Sequence, residues 1–391
     1  MAVRQWIFQK WRTVAQSYGF QEYDGPPLEP LDLFTQKSGD EIVAQLYNFT
    51  DKGDREVALR PEMTPTFARM VCAAESQYKK PLKWYSIPQL FRYERQQKGR
   101  LREHFQLNAD VVGESDPGAD AELIALLIDC LKSIGLTQDD FVIRLSSRTA
   151  WQEFYTSKGG NPEDEYRFYQ AIDKMEREKN EVTEQNLQAC GIDINDVTDF
   201  IERAEPIGEL VQVVQQMDDR GLGDFIKIDY HIIRGLAYYT GVVFEAFDRS
   251  TKFRAIAGGG RYDKLVSLVS GGKVDMPALG FGMGDVVITE LLKHLGRLPS
   301  DLLVPDIYFA IDDEKLRSRS LAYIQWFRER GIRTLFPLSG MKADKQFKSA
   351  RDMKARFIVN IDPQNPSVLT AKNLETKEKI VGDRESILGI L

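Results

Sequence analysis

Residues 91–113 read FRYERQQKGRLREHFQLNADVVG. Within a dozen positions the stretch places Arg92, Glu94, Arg95, Lys98, Arg100 and Arg102, then gives way to a more apolar run over 107–112. A strand, a basic loop and a returning strand is the economical reading. Strands joined this closely pair antiparallel, which sets the first constraint on the fold. Arginine presents a planar fork that matches phosphate oxygens, so such a hairpin can aim several guanidinium groups at one polyphosphate. The competing reading is a solvated charged hairpin with no ligand.

Moving outward, Trp6, Ile7, Trp11, Val14, Ala15 and Tyr18 recur at helical spacing and predict an amphipathic first helix, ended by Gly19 and by Pro26–Pro27. A second helix is predicted over 117–135, and a strand over FVIRLSSR at 141–148. From 149 to 223 charged residues dominate and strand signals vanish, which reads as a helical insertion. Strand patterns resume at FIKIDYHIIRG (225–235), VVFEAFD and AIAGGG, followed by a glycine-rich strand feeding a helix over 277–296. These strands follow one another directly, so an antiparallel sheet is favoured over βαβ winding. Beyond 298–305 helices and strands alternate, marking a further domain.

Bulk properties narrow the function. At 391 residues the chain has room for about two to three domains. With 42% apolar and 28% charged residues it reads as globular rather than disordered. No apolar run approaches the roughly 18 to 20 residues that cross a bilayer, and the N-terminus is not a secretory signal, so a cytoplasmic location is expected. Cys72, Cys130 and Cys190 lack metal-ligand spacing and are expected to be reduced thiols; with His104, His231 and His294 the only histidines, no metal site is predicted. The net charge of −7 does not advertise nucleic acid, yet residues 301–391 hold 16 Lys and Arg against 13 Asp and Glu, a mildly basic tail. The glycines at 258–260 lack the terminal Lys-Ser/Thr of a phosphate-binding loop and fit close backbone approach better.

Four blocks, in order, resemble the histidyl-tRNA synthetase family of class II aminoacyl-tRNA synthetases. They are ALRPEMTPTFARM (58–70), FRYE with its basic loop, IIRGLAYYTGVVFEAFD (232–248) and AIAGGGRYDKLV (255–266). The resemblance covers nearly the whole chain. It implies an α+β fold, a class II synthetase-like antiparallel sheet with flanking helices, plus a C-terminal α/β anticodon-binding-like domain. The implied division is a catalytic domain at 1–148 and 224–300, a helical insertion at 149–223 and the anticodon-binding domain at 301–391. It also implies a homodimer, with no membrane association.

The implied reaction joins L-histidine to tRNA(His) by way of histidyl-adenylate, with ATP as substrate and Mg2+ accompanying it. Two anions must meet, so the site needs positive charge where charge develops rather than a covalent nucleophile. The resemblance assigns Arg92 and Arg234 to the α-phosphate, and Arg92, Glu94, Arg100, His104 and Phe105 to ATP. It assigns Glu62, Thr64 and Gln106 to the α-ammonium group, and Asp110, Tyr239 and Tyr262 to the imidazole. A site that must fill two specific hydrogen bonds to a ring rejects isosteres lacking them. Read alone, Arg92 fits a structural salt bridge, Arg234 is unremarkable, and a tyrosine pair in a strand is sheet packing. The chain departs from the family at Asp110, where Glu is usual, at Ala237, at His104, where Phe commonly stacks on adenine, and at Val287, where the third class II motif ends in Arg. These departures leave a second reading, a histidine-sensing, synthetase-like regulatory subunit of ATP phosphoribosyltransferase.

Overall fold

The computed structural model describes residues 1–35, 43–93, 101–233 and 239–391. They divide into two compact units, Val3–Leu298 and Pro299–Leu391.

The first unit is organised by a nine-stranded sheet among the described residues. Its strands are β1 (Gln21–Glu22), β5 (Leu82–Ser86), β6 (Gln89–Phe91), β7 (Glu103–Val112), β8 (Phe141–Ser147), β9 (Ile226–Ile228), β10 (Val242–Asp248), β11 (Ala257–Arg261) and β12 (Ala278–Gly284). The order is β1-β5-β7-β12-β11-β10-β8-β9, with β6 pairing with one end of β7. Pairing is antiparallel except at the two edges, where β1 lies parallel to β5 and β9 parallel to β8. A separate three-stranded sheet, β2 (Leu28–Pro30), β4 (Glu56–Leu59) and β3 (Tyr47–Thr50), precedes the helix Thr64–Ala73.

β7 shows how the sequence builds two faces. Side chains alternate along a strand, so Leu107, Ala109 and Val111 share one face, and His104, Gln106, Asn108 and Asp110 the other. The first set joins a buried core with Ile124, Leu127 and Leu131 of the helix Gly118–Ser133 and with Ile7 and Trp11 of the helix Ala2–Ser17. That core continues into the insertion, where Phe168, Leu187 and Val197 are buried on the helices Glu165–Lys174, Asn180–Gln188 and Ile194–Arg203. The opposite face carries the polar series.

One strand expectation is corrected. Residues 225–235 do not form a long strand; β9 is three residues, and a turn follows at Tyr230 and His231. The Asp229 carboxylate accepts from the His231 backbone N–H at 3.2 Å and sits 2.8 Å from its Nδ1. A short polar side chain bonding its own backbone two residues on competes with ladder pairing.

The second unit holds the sheet β14-β13-β15-β16-β17, formed by β13 (Ile307–Phe309), β14 (Thr334–Leu335), β15 (Phe357–Ile361), β16 (Leu369–Asn373) and β17 (Lys379–Gly382). β13 lies parallel to both β14 and β15, while β15, β16 and β17 run antiparallel. The helices Arg317–Arg328 and Ala343–Asp352 supply Ile324, Phe327 and Ala350 to its interior. The antiparallel β16–β17 ribbon and the last helix, Arg384–Leu388, are elements the sequence reading did not anticipate.

Candidate active site

Register defines a trough on the polar face of the large sheet. Asp110 on β7 pairs with Gly280 on β12, Gly280 with Gly260 on β11, and Gly260 with Val243 on β10. One rung along, Asn108 pairs with Gly282, Gly282 with Gly258, and Gly258 with Glu245. Paired residues project to the same side of a sheet, so glycines on two central strands floor a strip walled by β7 and β10.

The glycines are there for room. A Cβ on Gly280 would run into the Asp110 carboxylate, and one on Gly282 into the Gln106 amide. Across the strip, Glu245 Oε1 lies over Gly258, 3.5 Å from where a Cβ would stand. A glycine in a strand interior weakens the strand and marks close approach by a side chain, a backbone or a ligand.

Asp110 is the electrostatic centre. It is 1% exposed, and Tyr262 Oη donates to its Oδ1 at 2.5 Å. Its second oxygen, Oδ2, is buried with no hydrogen-bond partner among the described residues. Burial pushes the carboxyl up to about 7 against the pull of the Tyr262 hydroxyl. Tyr262 and Tyr239 join one apolar cluster with Trp84 and Phe67, so the two assigned tyrosines reach the same end of the trough.

At the other end, His104 faces the same way as Gln106. Burial first, then the Arg92 charge, pulls the imidazole down to about 4, while a hydrogen bond with Gln106 opposes the shift. His104 is therefore neutral near pH 7, and Arg92 is close enough to act on it. Arg92 Nε donates to Pro61 O at 2.9 Å, and Phe91 N–H donates to Arg60 O at 3.0 Å. These bonds lay the segment carrying Glu62 and Thr64 alongside β6, one strand from His104 and Gln106. Glu62 is 8% exposed, and Thr64 begins the helix Thr64–Ala73.

The structure therefore gathers Arg92, His104, Gln106, Asp110 and Tyr262 on one face, with Glu62, Thr64 and Tyr239 beside it. Phe105 is the correction. Strand alternation turns its ring to the opposite face, where it packs 5.3 Å from Phe8 and 4.8 Å under the Arg4 guanidinium. It cannot stack on adenine while His104 lines the trough. Val287, at the third-motif position, packs against the main core. Glu94, Arg100 and Arg234 lie outside the described residues.

Sequence reasoning missed Asn108 and Glu245, and the signal for Asn108 was present. HFQLNAD places polar residues at 104, 106, 108 and 110, every second position. Reading 107–112 as a simple apolar run hid that alternation. Two surface cavities of about 370 Å³ lie away from this face, one lined by Arg328 and Arg333 in the second unit, one by Phe154 and Phe200 in the insertion. The candidate site is an open trough instead.

The model of the family described as histidyl-tRNA synthetase matches residues 1–284. The chain belongs to the histidyl-tRNA synthetase family. It is 42% identical to a histidine–tRNA ligase of Opitutus terrae, over 99% of this chain and 94% of that one. It is 40% identical to the chloroplastic/mitochondrial histidine–tRNA ligase of Arabidopsis thaliana, over 92% of this chain and 77% of that one. Among solved structures, a histidyl-tRNA synthetase from Nostoc sp. PCC 7120 superposes with a TM-score of 0.83 at 22% identity, covering 99% of this chain and 95% of that one. The fold of this family is accordingly the fold of this chain, an α+β arrangement with a mixed central sheet, flanking helices and a C-terminal sheet and helix unit. No helix among the described residues is long and apolar enough to cross a membrane.

Proposed function

We propose that this chain is a histidine–tRNA ligase that activates L-histidine with ATP and transfers the histidyl group to tRNA(His). The observation that carries the reading is the Asp110 carboxyl, buried in a glycine-floored trough with Tyr262 on one oxygen and the other without a partner among the described residues. A buried acceptor in a substrate trough selects a ring that offers an N–H.

In this reading the imidazole N–H donates to Asp110, with Tyr239 and Tyr262 around it. Glu62, Thr64 and Gln106 hold the α-ammonium group. The histidine carboxylate then attacks the α-phosphorus of ATP, forming the acyl–phosphate bond as the bond to pyrophosphate breaks. Arg92, fixed through its Nε to Pro61 O, places positive charge where the two anions meet, and Arg234 and Arg100 complete that field. Neutral His104 offers a flat face to the adenine. Mg2+ would enter bound to the ATP phosphates, which with water make most of its coordination, and it screens their charge. The second unit is the candidate reader of the tRNA anticodon. A homodimer working in the cytoplasm completes the proposal.

Histidine-dependent exchange of pyrophosphate into ATP tests the reading. Rapid exchange needing histidine alone supports adenylate chemistry. Histidine binding without exchange would overturn it in favour of the regulatory-subunit reading.

A further inference from the structure

Three buried polar atoms meet on neighbouring strands of the trough face: Asp110 Oδ2, which has no hydrogen-bond partner among the described residues, and Tyr23 Oη and Ser86 Oγ, which interact with each other. Their side chains share one face. Ser86 on β5 pairs with Asn108, and Trp84 with Asp110. Tyr23, just past β1, donates its N–H to Tyr85 O at 2.9 Å, which extends the parallel β1–β5 register and sets Tyr23 beside Ser86.

The Tyr23 ring is wedged between Trp84 and Phe67, with centroids 5.3 and 5.5 Å away. Both belong to the apolar cluster that holds Tyr262 and Tyr239. The backbone after Tyr23 is pinned as well: the buried Arg60 donates through Nη1 to Asp24 Oδ1 at 3.0 Å and to Gly25 O at 2.6 Å. Tyr23 therefore has little freedom to turn its hydroxyl toward water. Burial, followed by the negative charge of Asp110, keeps that hydroxyl protonated well above its ordinary range, so it remains a donor. A buried carboxylate oxygen left without a donor costs stability, and such a cost persists where a ligand satisfies the group.

We propose that Tyr23, with Ser86 behind it, is a further specificity-determining residue of the imidazole pocket. Its hydroxyl donates to the ring nitrogen that carries no proton, while Asp110 Oδ2 accepts from the ring N–H. The proposal rests on the reading of Asp110 as the imidazole acceptor. One donor and one acceptor on opposite sides of the ring recognise neutral imidazole as a whole, which a single carboxylate does not. Ser86 Oγ, next to Tyr23 Oη, orients the phenol.

The test is pyrophosphate exchange by the full-length protein carrying Tyr23→Phe or Ser86→Ala, with histidine and ATP varied separately. Tyr23→Phe is expected to raise the KM for histidine about tenfold or more, the worth of one buried hydrogen bond, and to leave the KM for ATP within about twofold. Ser86→Ala is expected to do the same more weakly. Each variant removes one member of the Tyr23–Ser86 hydroxyl pair, so without histidine both should lower the melting temperature only slightly and by the same amount, and both should shrink the rise that histidine produces. An unchanged histidine KM in Tyr23→Phe overturns the proposal. A markedly lowered melting temperature with both KM values raised also overturns it, since that is the signature of a packing role. Failure of the underlying reading is separate: wild-type protein would show no histidine-dependent exchange, or Asp110→Asn would leave the histidine KM unchanged.

Discussion

In the C-terminal sheet unit the buried Gln346 amide has a partner on every side, whereas on the large sheet Asp110 Oδ2 and the hydroxyl of Ser146 have none among the described residues. Gln346 Oε1 accepts from Ile311 N–H at 2.8 Å, and its Nε2 donates to Ile311 O at 2.8 Å and Met341 O at 2.7 Å. All the unpartnered buried side-chain atoms among the described residues fall in Val3–Leu298, and none in Pro299–Leu391. An unsatisfied buried polar group calls for an explanation. On the trough face a ligand supplies one for Asp110 Oδ2, while others, such as Trp11 Nε1 and Thr183 Oγ1, lie on helices away from that face.

That contrast can be broken experimentally, beginning with the largest effect. Arg92→Ala should lower histidine-dependent exchange about 10²- to 10³-fold, the usual cost of removing one oriented charge from a transition state, with the circular dichroism spectrum unchanged. A mild loss would move the developing charge elsewhere. Asp110→Asn should raise the histidine KM roughly 10- to 100-fold, as expected for a buried hydrogen bond to a charged acceptor. It also carries a pH signature. The folded carboxyl titrates near 7 against an ordinary 3.8, so between those values the folded state keeps a proton that the unfolded state has released. This group's contribution to ligand-free stability is present below that window and is lost as pH rises through it. Melting curves from pH 4 to pH 8 should show that slope in the wild type and a flatter one in Asp110→Asn.

Smaller effects sharpen the comparison. Gly282→Ala places a methyl group where Gln106 lies and should raise the histidine KM about tenfold through a displaced amide, with ATP affinity less affected. Equal KM values for Gly282→Ala and wild type would show that Gln106 has somewhere else to go. Gln346→Leu should leave exchange kinetics untouched. It strips the partner from the buried N–H and C=O of Ile311, and from the part-buried C=O of Met341, and should cost on the order of 2 kcal/mol, read as a lower melting temperature of the second unit.

Much of this was legible before any coordinates. The first helix, the long helix at Gly118–Ser133 and the strands β8 and β10 follow from periodicity, because an apolar face with one period has few ways to be buried. The family was legible from four blocks of local sequence. The β16–β17 ribbon was not, since LTAKN and KIVG carry weak patterns and become strands by pairing with β15 and with each other. The parallel edge strands were equally hidden, because β1 and β9 are two and three residues long and owe their state to their neighbours.

The sequence by itself determined the chemistry on offer: a basic hairpin, a run of glycines, a carboxylate at 110 and tyrosines at 239 and 262. It determined these because residue type and spacing along one strand are local properties. Which groups meet was decided only by the tertiary structure. Register across β7, β12, β11 and β10 sets Asp110 over Gly280 and brings Tyr262, some 150 positions away, onto its oxygen. Strand alternation sends His104 into the trough and Phe105 into the core, a choice composition cannot make. Tyr23 joins Asp110 through two intervening pairings, β1 with β5 and β5 with β7. Non-local pairing fixes those contacts, and its rules are written in the whole sheet, with no single stretch of the chain carrying them.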